Sequence, residues 1–346
     1  MVITNMVILV IIIIIIAMAF DFTNGFHDSA NSIATIVSTQ VLQPRQAVVF
    51  AAFFNFLAAF TFGVAVASTI SKIIHLAYIQ QYFGNEIIPY IVLSGLIGAI
   101  AWNLITWWLG LPTSSSHALI GGVGGAGIAA AGIAAIKVST IELVVLFMVL
   151  SPLIGLVIGF FAMVAVLNAV KKTAPAKVNK YFRKLQLISS ALYSFSHGTN
   201  DAQKTMGIIT PLLFSIGYYS ADVDPNKLPV PIWVIFMAYG VIAMGTMAGG
   251  WRIVKTMGQK ITKLSPAYGF AAETAGATTI IGASLGGIPV STTHVITSCI
   301  MGVGATKRGR AVKWGVARRI VWAWLLTIPA SGIIGFLAFH VISLFL

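Results

Sequence analysis

A polar block occurs twice in this chain. FTNGFHDSANS at 22–32 returns as FSHGTNDAQKT at 195–205, offset by 173 positions, half of the 346 residues. A second block, GLPTSSSH at 110–117, returns as GIPVSTTH at 287–294. The order of the blocks is kept in both halves. Polar sequence that recurs at half the length of an apolar chain predicts two related modules sharing one site between them.

The residues around these blocks set the solvent. Hydrophobic types make up 58% of the chain and charged types only 8%, against about 25% charged in soluble domains. Apolar stretches reach the length of about 20 residues that a bilayer crossing needs. The sequence therefore predicts an all-α, polytopic membrane protein and leaves no segment for a soluble domain. The apolar N-terminus lacks basic residues before its hydrophobic run and is read as a retained first helix, not a secretory signal. Cys299 is the single cysteine, which excludes intrachain disulfides and cysteine-rich metal sites.

The formal charge of +13 sits mainly in three segments, Lys171 to Lys184, Arg252 to Lys263 and Lys307 to Arg319. Cytoplasmic loops are enriched in Lys and Arg, so orientation explains the charge and no nucleic-acid partner is expected. Loop 219–230, with Asp222 and Asp224, then falls outside. Mapping the second half onto the first places the two in opposite orientation, with both termini external. The expected organisation is a first inverted repeat at 1–170, a basic cytoplasmic loop at 171–185 and a second inverted repeat at 186–346. The short stretches 28–40, 186–197 and 202–219 read as half-helices beside the polar blocks, giving broken helices, and the Pro-Ser-rich blocks read as re-entrant hairpins.

Each block carries its own chemistry. An ionised Asp deep in a membrane is costly unless paired or hydrated. Asp28 and Asn31 share a helix face, and Gly25 lets the backbone open. Unwound carbonyls beside a carboxylate make a hard oxygen cage suited to Na⁺; the plainer alternative is a kink with a locally satisfied Asp. Recurrence at Gly198 and Asp201 favours the cage. Asn200, Thr113 and Thr293 are further oxygen donors for cations. Glu273 has no acidic counterpart in the first half and is either an extra cation ligand or an interfacial residue. The Pro-Ser blocks read as helix starts whose caps and free N–H groups suit an anion. Ser114, Ser115, Ser291 and Thr292 are aimed at one oxyanion in this reading, with Asn31, Gln203 and Lys204 beside them. Lys204 either pairs with Asp201 or meets the anion, and the anion contact is preferred. His27, His197, His117 and His294 read as orienting groups.

These motifs resemble the inorganic phosphate transporter (PiT) family, in a prokaryotic sodium/phosphate symporter form. NGFHDSAN at 24–31 and SHGTNDAQK at 196–204 are similar to its duplicated signature. The resemblance implies uptake of inorganic phosphate coupled to Na⁺ or H⁺, through two inverted repeats with re-entrant hairpins. It places Asp28, Asn31, Asn200, Asp201, Gln203 and Lys204 on the signature and Ser114, Ser115, Ser291 and Thr292 on the hairpin caps. Many eukaryotic relatives carry Glu where this chain has Asn55, so the resemblance lends no cation role there. It also implies a multi-pass protein of the prokaryotic plasma membrane, with Na⁺ as coupling ion and no other cofactor. Some family members carry sulfate, the alternative substrate. An intramembrane Ser-His-Asp hydrolase fits the residue types but not their symmetric recurrence, and an anion channel does not need paired carboxylates. A homodimer is compatible with surfaces on which lipid-facing and subunit-facing residues look alike.

Overall fold

The computed structural model describes residues 2–60, 63–220, 222–307 and 311–345. Among them the regular secondary structure is helical, apart from one isolated bridge between Ile74 and Ile136. The first half runs α1 (Val2–Ser38), α2 (Pro44–Leu57), α3 (Ala65–Ser71), α4 (Leu76–Tyr82), α5 (Ile88–Leu109), α6 (Ser115–Ala131) and α7 (Val138–Val170). The second runs α8 (Pro175–Ser215), α9 (Ile232–Ala248), α10 (Trp251–Lys255), α11 (Pro266–Leu285), α12 (Thr292–Ala305) and α13 (Trp314–Ser343).

Four described helices are long and apolar enough to cross a bilayer, and six spans result if each of two bent pairs counts as one. The bends are 86° between Pro44–Phe60 and Ala65–Ser71, and 61° between Ile232–Ala248 and Trp251–Lys260. Their places are a correction to the expected ones. No helix breaks at the polar blocks: α1 runs unbroken through 22–32 and α8 through 195–205. The reason lies in packing. A Cβ on Gly25 would sit 2.3 Å from the Ile242 carbonyl oxygen of α9, and one on Gly198 would sit 2.5 Å from that of Asn55 in α2. Glycine serves close helix approach at both positions, and the expected unwound carbonyls do not form. The basic stretch 171–185 also proves mostly helical, since α8 begins at Pro175, soon after α7 ends at Val170.

The two hairpins are α5–α6 and α11–α12. Their second arms span only 17 and 14 residues, about 25 and 21 Å at 1.5 Å per residue, short of a ~30 Å hydrocarbon core. Each hairpin is clasped by the last helix of the other half: α6 packs on α13, and α12 on α7. Glycine permits both contacts, with Gly125 against the Gly332 backbone and Gly302 against that of Leu156.

The long, polar α8 is buried by wrapping. It crosses α1 antiparallel, Asp21 meeting Thr205 and Thr39 meeting Gln186. The corresponding pair α2 and α9 also runs antiparallel, Asn55 meeting Thr246 and Phe60, in the 3-10 turn that follows α2, lying edge-on to Phe236. Outside the membrane, Asp224 accepts from the Asn226 backbone N–H at 2.8 Å, and the bonds from Asn226 hold its carboxyl below the usual range.

Candidate functional site

The crossing of α1 and α8 brings the two repeated aspartates together. Ligand atoms of Asp28, His197 and Asp201 lie within 4.8 Å of one another, all buried. The separation of 173 positions in sequence is closed because equivalent helices cross at equivalent residues.

The starts of α6 and α12 complete the site. Ser114 and Ser291 are the N-cap residues, and each hydroxyl accepts from a backbone N–H three residues on, that of His117 or His294, at 3.2 Å. The expected caps thus stand on equivalent positions of the two halves. The next hydroxyls of α12 turn to the carboxylates: Thr292 donates to Asp201 Oδ2 at 3.2 Å and Thr293 to Asp28 Oδ1 at 3.3 Å. Asn31 donates to both threonines, at 3.3 and 2.9 Å. Its own Oδ1 has no partner, nor has Ser115 Oγ. The Asn31 and threonine oxygens are buried beside carboxylates, the donor set a hard monovalent cation or a protonated oxyanion takes.

The two histidines hold the aspartates in different ways. His27 Nδ1 lies 2.7 Å from Asp28 Oδ1; a carboxylate only accepts, so the ring donates there. Its Nε2 faces Thr106 at 3.3 Å and Thr113 at 3.4 Å. His197 Nε2 sits 3.1 Å from Asp201 Oδ2, at ion-pair distance but not aligned for a hydrogen bond.

Four expected ligands have other partners in the structure. Gln203 does not stand open to an anion: its Oε1 accepts from the N–H groups of Val66 and Ala67 at 2.9 and 3.1 Å, capping α3, while Nε2 donates to Thr199 O. Lys204 makes the internal ion pair with Asp201, with the Val290 carbonyl at 3.4 Å; a fully buried lysine takes the nearest carboxylate. Thr113 donates to Thr106 and touches His27, with no bond to either aspartate. Asn200 donates to Ser284 at 3.0 Å and leaves Oδ1 free.

Glu273 is wholly buried within the protein. Thr35 and Gln186 donate to its Oε1 at 2.5 and 3.0 Å, and Ser189 to Oε2 at 2.5 Å. Gln186 in turn accepts from Thr39. Thr35, Gln186 and Ser189 escape a reading of the sequence because they lie about one to three turns from the signatures. A signal is nonetheless present: Gln186 and Ser189 stand three apart in a segment that otherwise reads as plain membrane helix. Asp21 escapes it too. This residue is wholly buried, and Thr205 donates to its Oδ1 at 2.8 Å.

The family described as the phosphate transporter family matches residues 24–335. The chain is 48% identical over 329 residues to the probable low-affinity inorganic phosphate transporter of Rhizobium meliloti (strain 1021), with 95% of each chain covered. It is 46% identical over 328 residues to the protein of that name from Bacillus subtilis (strain 168), again with 95% of each covered. A solved structure of a protein named "The sodium-dependent phosphate transporter" superposes with a TM-score of 0.85 at 28% identity, covering 98% of this chain and 100% of that one. The sulfate alternative finds no support among these relatives. They are named as transporters, which removes the hydrolase reading. With its several apolar helices, this is an integral membrane protein, and it belongs to the phosphate transporter family.

Proposed function

We propose that the protein imports inorganic phosphate across a prokaryotic plasma membrane by symport with Na⁺, through alternating access of two inverted repeats, 1–170 and 186–346. The observation that carries this reading is the meeting of Asp28 and Asp201 at the first turn of α12. The antiparallel crossings of α1 with α8 and of α2 with α9 support the inversion. The similar solved protein is named as sodium-dependent, which favours Na⁺ over H⁺.

Electrostatics gives an order of events. Two carboxylates side by side repel an anion, so cations bind first. One Na⁺ takes Asp28 with Thr293 and the free Asn31 oxygen. A second takes Asp201 with Thr292 and the free Asn200 oxygen, displacing the Lys204 ammonium. Lys204 then turns to the Val290–Ser291 end of α12, and phosphate lies between it, Ser115 and the two helix starts. Helix N-termini favour anions through their free N–H groups and dipole. Glu273, with Thr35 and Ser189, offers a further cation site.

The same arrangement selects phosphate. Hydrogen phosphate has a proton to donate to an Asp oxygen, and sulfate has none. An acceptor left facing an acceptor costs about 1–3 kcal/mol. Asp28→Asn and Asp201→Asn, reconstituted in liposomes, are expected to lose Na⁺-driven uptake of labelled phosphate. Uptake at the parent rate by both variants rejects the assignment.

A further inference from the structure

Asp21 has no role in the scheme above, yet it is as deeply buried as Asp28. Its Oδ1 accepts from Thr205, while Oδ2 has no partner. Asn24 stands three residues on, on the same face of α1, wholly buried, with no well-formed hydrogen bond at either carboxamide atom. Asn103 of α5 is likewise buried with both atoms unbonded. Helices α1 and α5 pack against each other. Ile88–Ala99 share a core with Val10–Phe20, and the His27–Thr106 contact comes later in both. Asn24 and Asn103 each stand three residues before that contact, about one turn back along their own helices. Buried carboxamides are almost always bonded, and the unbonded Asn24 one turn from a half-bonded carboxylate marks a place built to receive something.

The position is as informative as the chemistry. Along the α1–α8 crossing, three acidic stations lie in order. Asp21 is at the Thr205 end, Asp28 and Asp201 are central, and Glu273 is at the Thr35–Gln186 end. Asp21 is seven residues from Asp28, about 10 Å along the helix. The Gln186 end adjoins the basic stretch 171–185, which the charge rule places in the cytoplasm. The Asp21 end therefore faces outward.

Resting on the Na⁺-coupled reading, we propose that Asp21, with Asn24 and Thr205, is an outward-side Na⁺ site that loads the cation before it reaches the central aspartates. The donors are one carboxylate oxygen, one amide oxygen and a hydroxyl, all hard oxygen ligands.

The test uses full-length protein in liposomes, with radiolabelled sodium binding measured without phosphate, and labelled phosphate uptake measured against Na⁺ concentration. Asp21→Asn is expected to bind one Na⁺ fewer per chain and to need roughly 10- to 100-fold more Na⁺ for half-maximal uptake, the loss of one charge-assisted contact. Its KM for phosphate at saturating Na⁺ stays that of the parent. Asp21→Glu restores the Na⁺ response. Thr205→Val keeps the carboxylate and shifts the Na⁺ curve the same way by less, and it decides the matter if Asp21→Asn does not fold. A monodisperse Asp21→Asn with the parent's Na⁺ count and activation curve overturns the proposal alone. A variant whose uptake changes only in its pH dependence assigns the site to a proton and also overturns it. A parent that neither binds Na⁺ nor responds to it sinks this site together with the symport reading.

Discussion

At the residue scale the most exacting feature is the Asp201–Lys204 pair, wholly buried on one face of α8. Removing one partner of a buried ion pair strands the other, at a cost of about 3–5 kcal/mol. Lys204→Met is therefore expected to lower the melting temperature in detergent sharply. The double variant Asp201→Asn/Lys204→Met removes both charges and is expected to recover most of that loss while remaining unable to take up phosphate. Recovery of stability without recovery of transport separates the pair's structural role from its functional one. A Lys204→Met protein as stable as the parent contradicts the pairing.

At the element scale, the helix starts of α6 and α12 are legible in sequence because a cap is a local device. Pro, then Ser or Thr, then an apolar run fixes it without reference to the rest of the chain. The helix breaks are not legible. Gly25 and Gly198 read as hinges, but the same residue also lets two backbones touch, and only the partner helix decides between these uses. Gln203 misleads for a similar reason: nothing in the sequence shows that α3 starts against it. Asp21 is hidden because it closes a long apolar run and lies outside the duplicated signature. The α6 glycines allow a direct test of close approach. A Cβ on Gly125 would lie 2.0 Å from the Gly332 carbonyl oxygen, whereas one on Gly124 meets nothing within 4 Å. Gly125→Ala is expected to destabilise by about 1–3 kcal/mol and, by displacing the hairpin, to raise the KM for phosphate. Gly124→Ala is expected to be neutral or stabilising by up to ~1 kcal/mol, since Ala is the better helix former. Equal melting temperatures for the two variants speak against tight α6–α13 packing.

At the scale of the whole molecule, charge governs what the protein can bind. The described membrane core holds Asp21, Asp28, Asp201 and Glu273 against the single ammonium of Lys204. Adding a phosphate dianion to that surplus is unfavourable in a low-dielectric interior. A membrane potential, negative inside, opposes it further by about 2.3 kcal/mol per charge per 100 mV. Cations must therefore raise the affinity for phosphate, and by linkage phosphate must raise the affinity for Na⁺ by the same factor. We expect phosphate affinity, measured by calorimetry on purified protein, to rise roughly 5- to 150-fold when Na⁺ replaces K⁺ at constant ionic strength, the usual span of such coupling. Na⁺ affinity should rise by a matching factor when phosphate is supplied. The reciprocity is what makes the measurement decisive. General screening by salt would help phosphate equally in K⁺ and in Na⁺, and would leave no such symmetry. Phosphate that binds as tightly in K⁺ as in Na⁺ would show that the acidic core does not couple the two solutes.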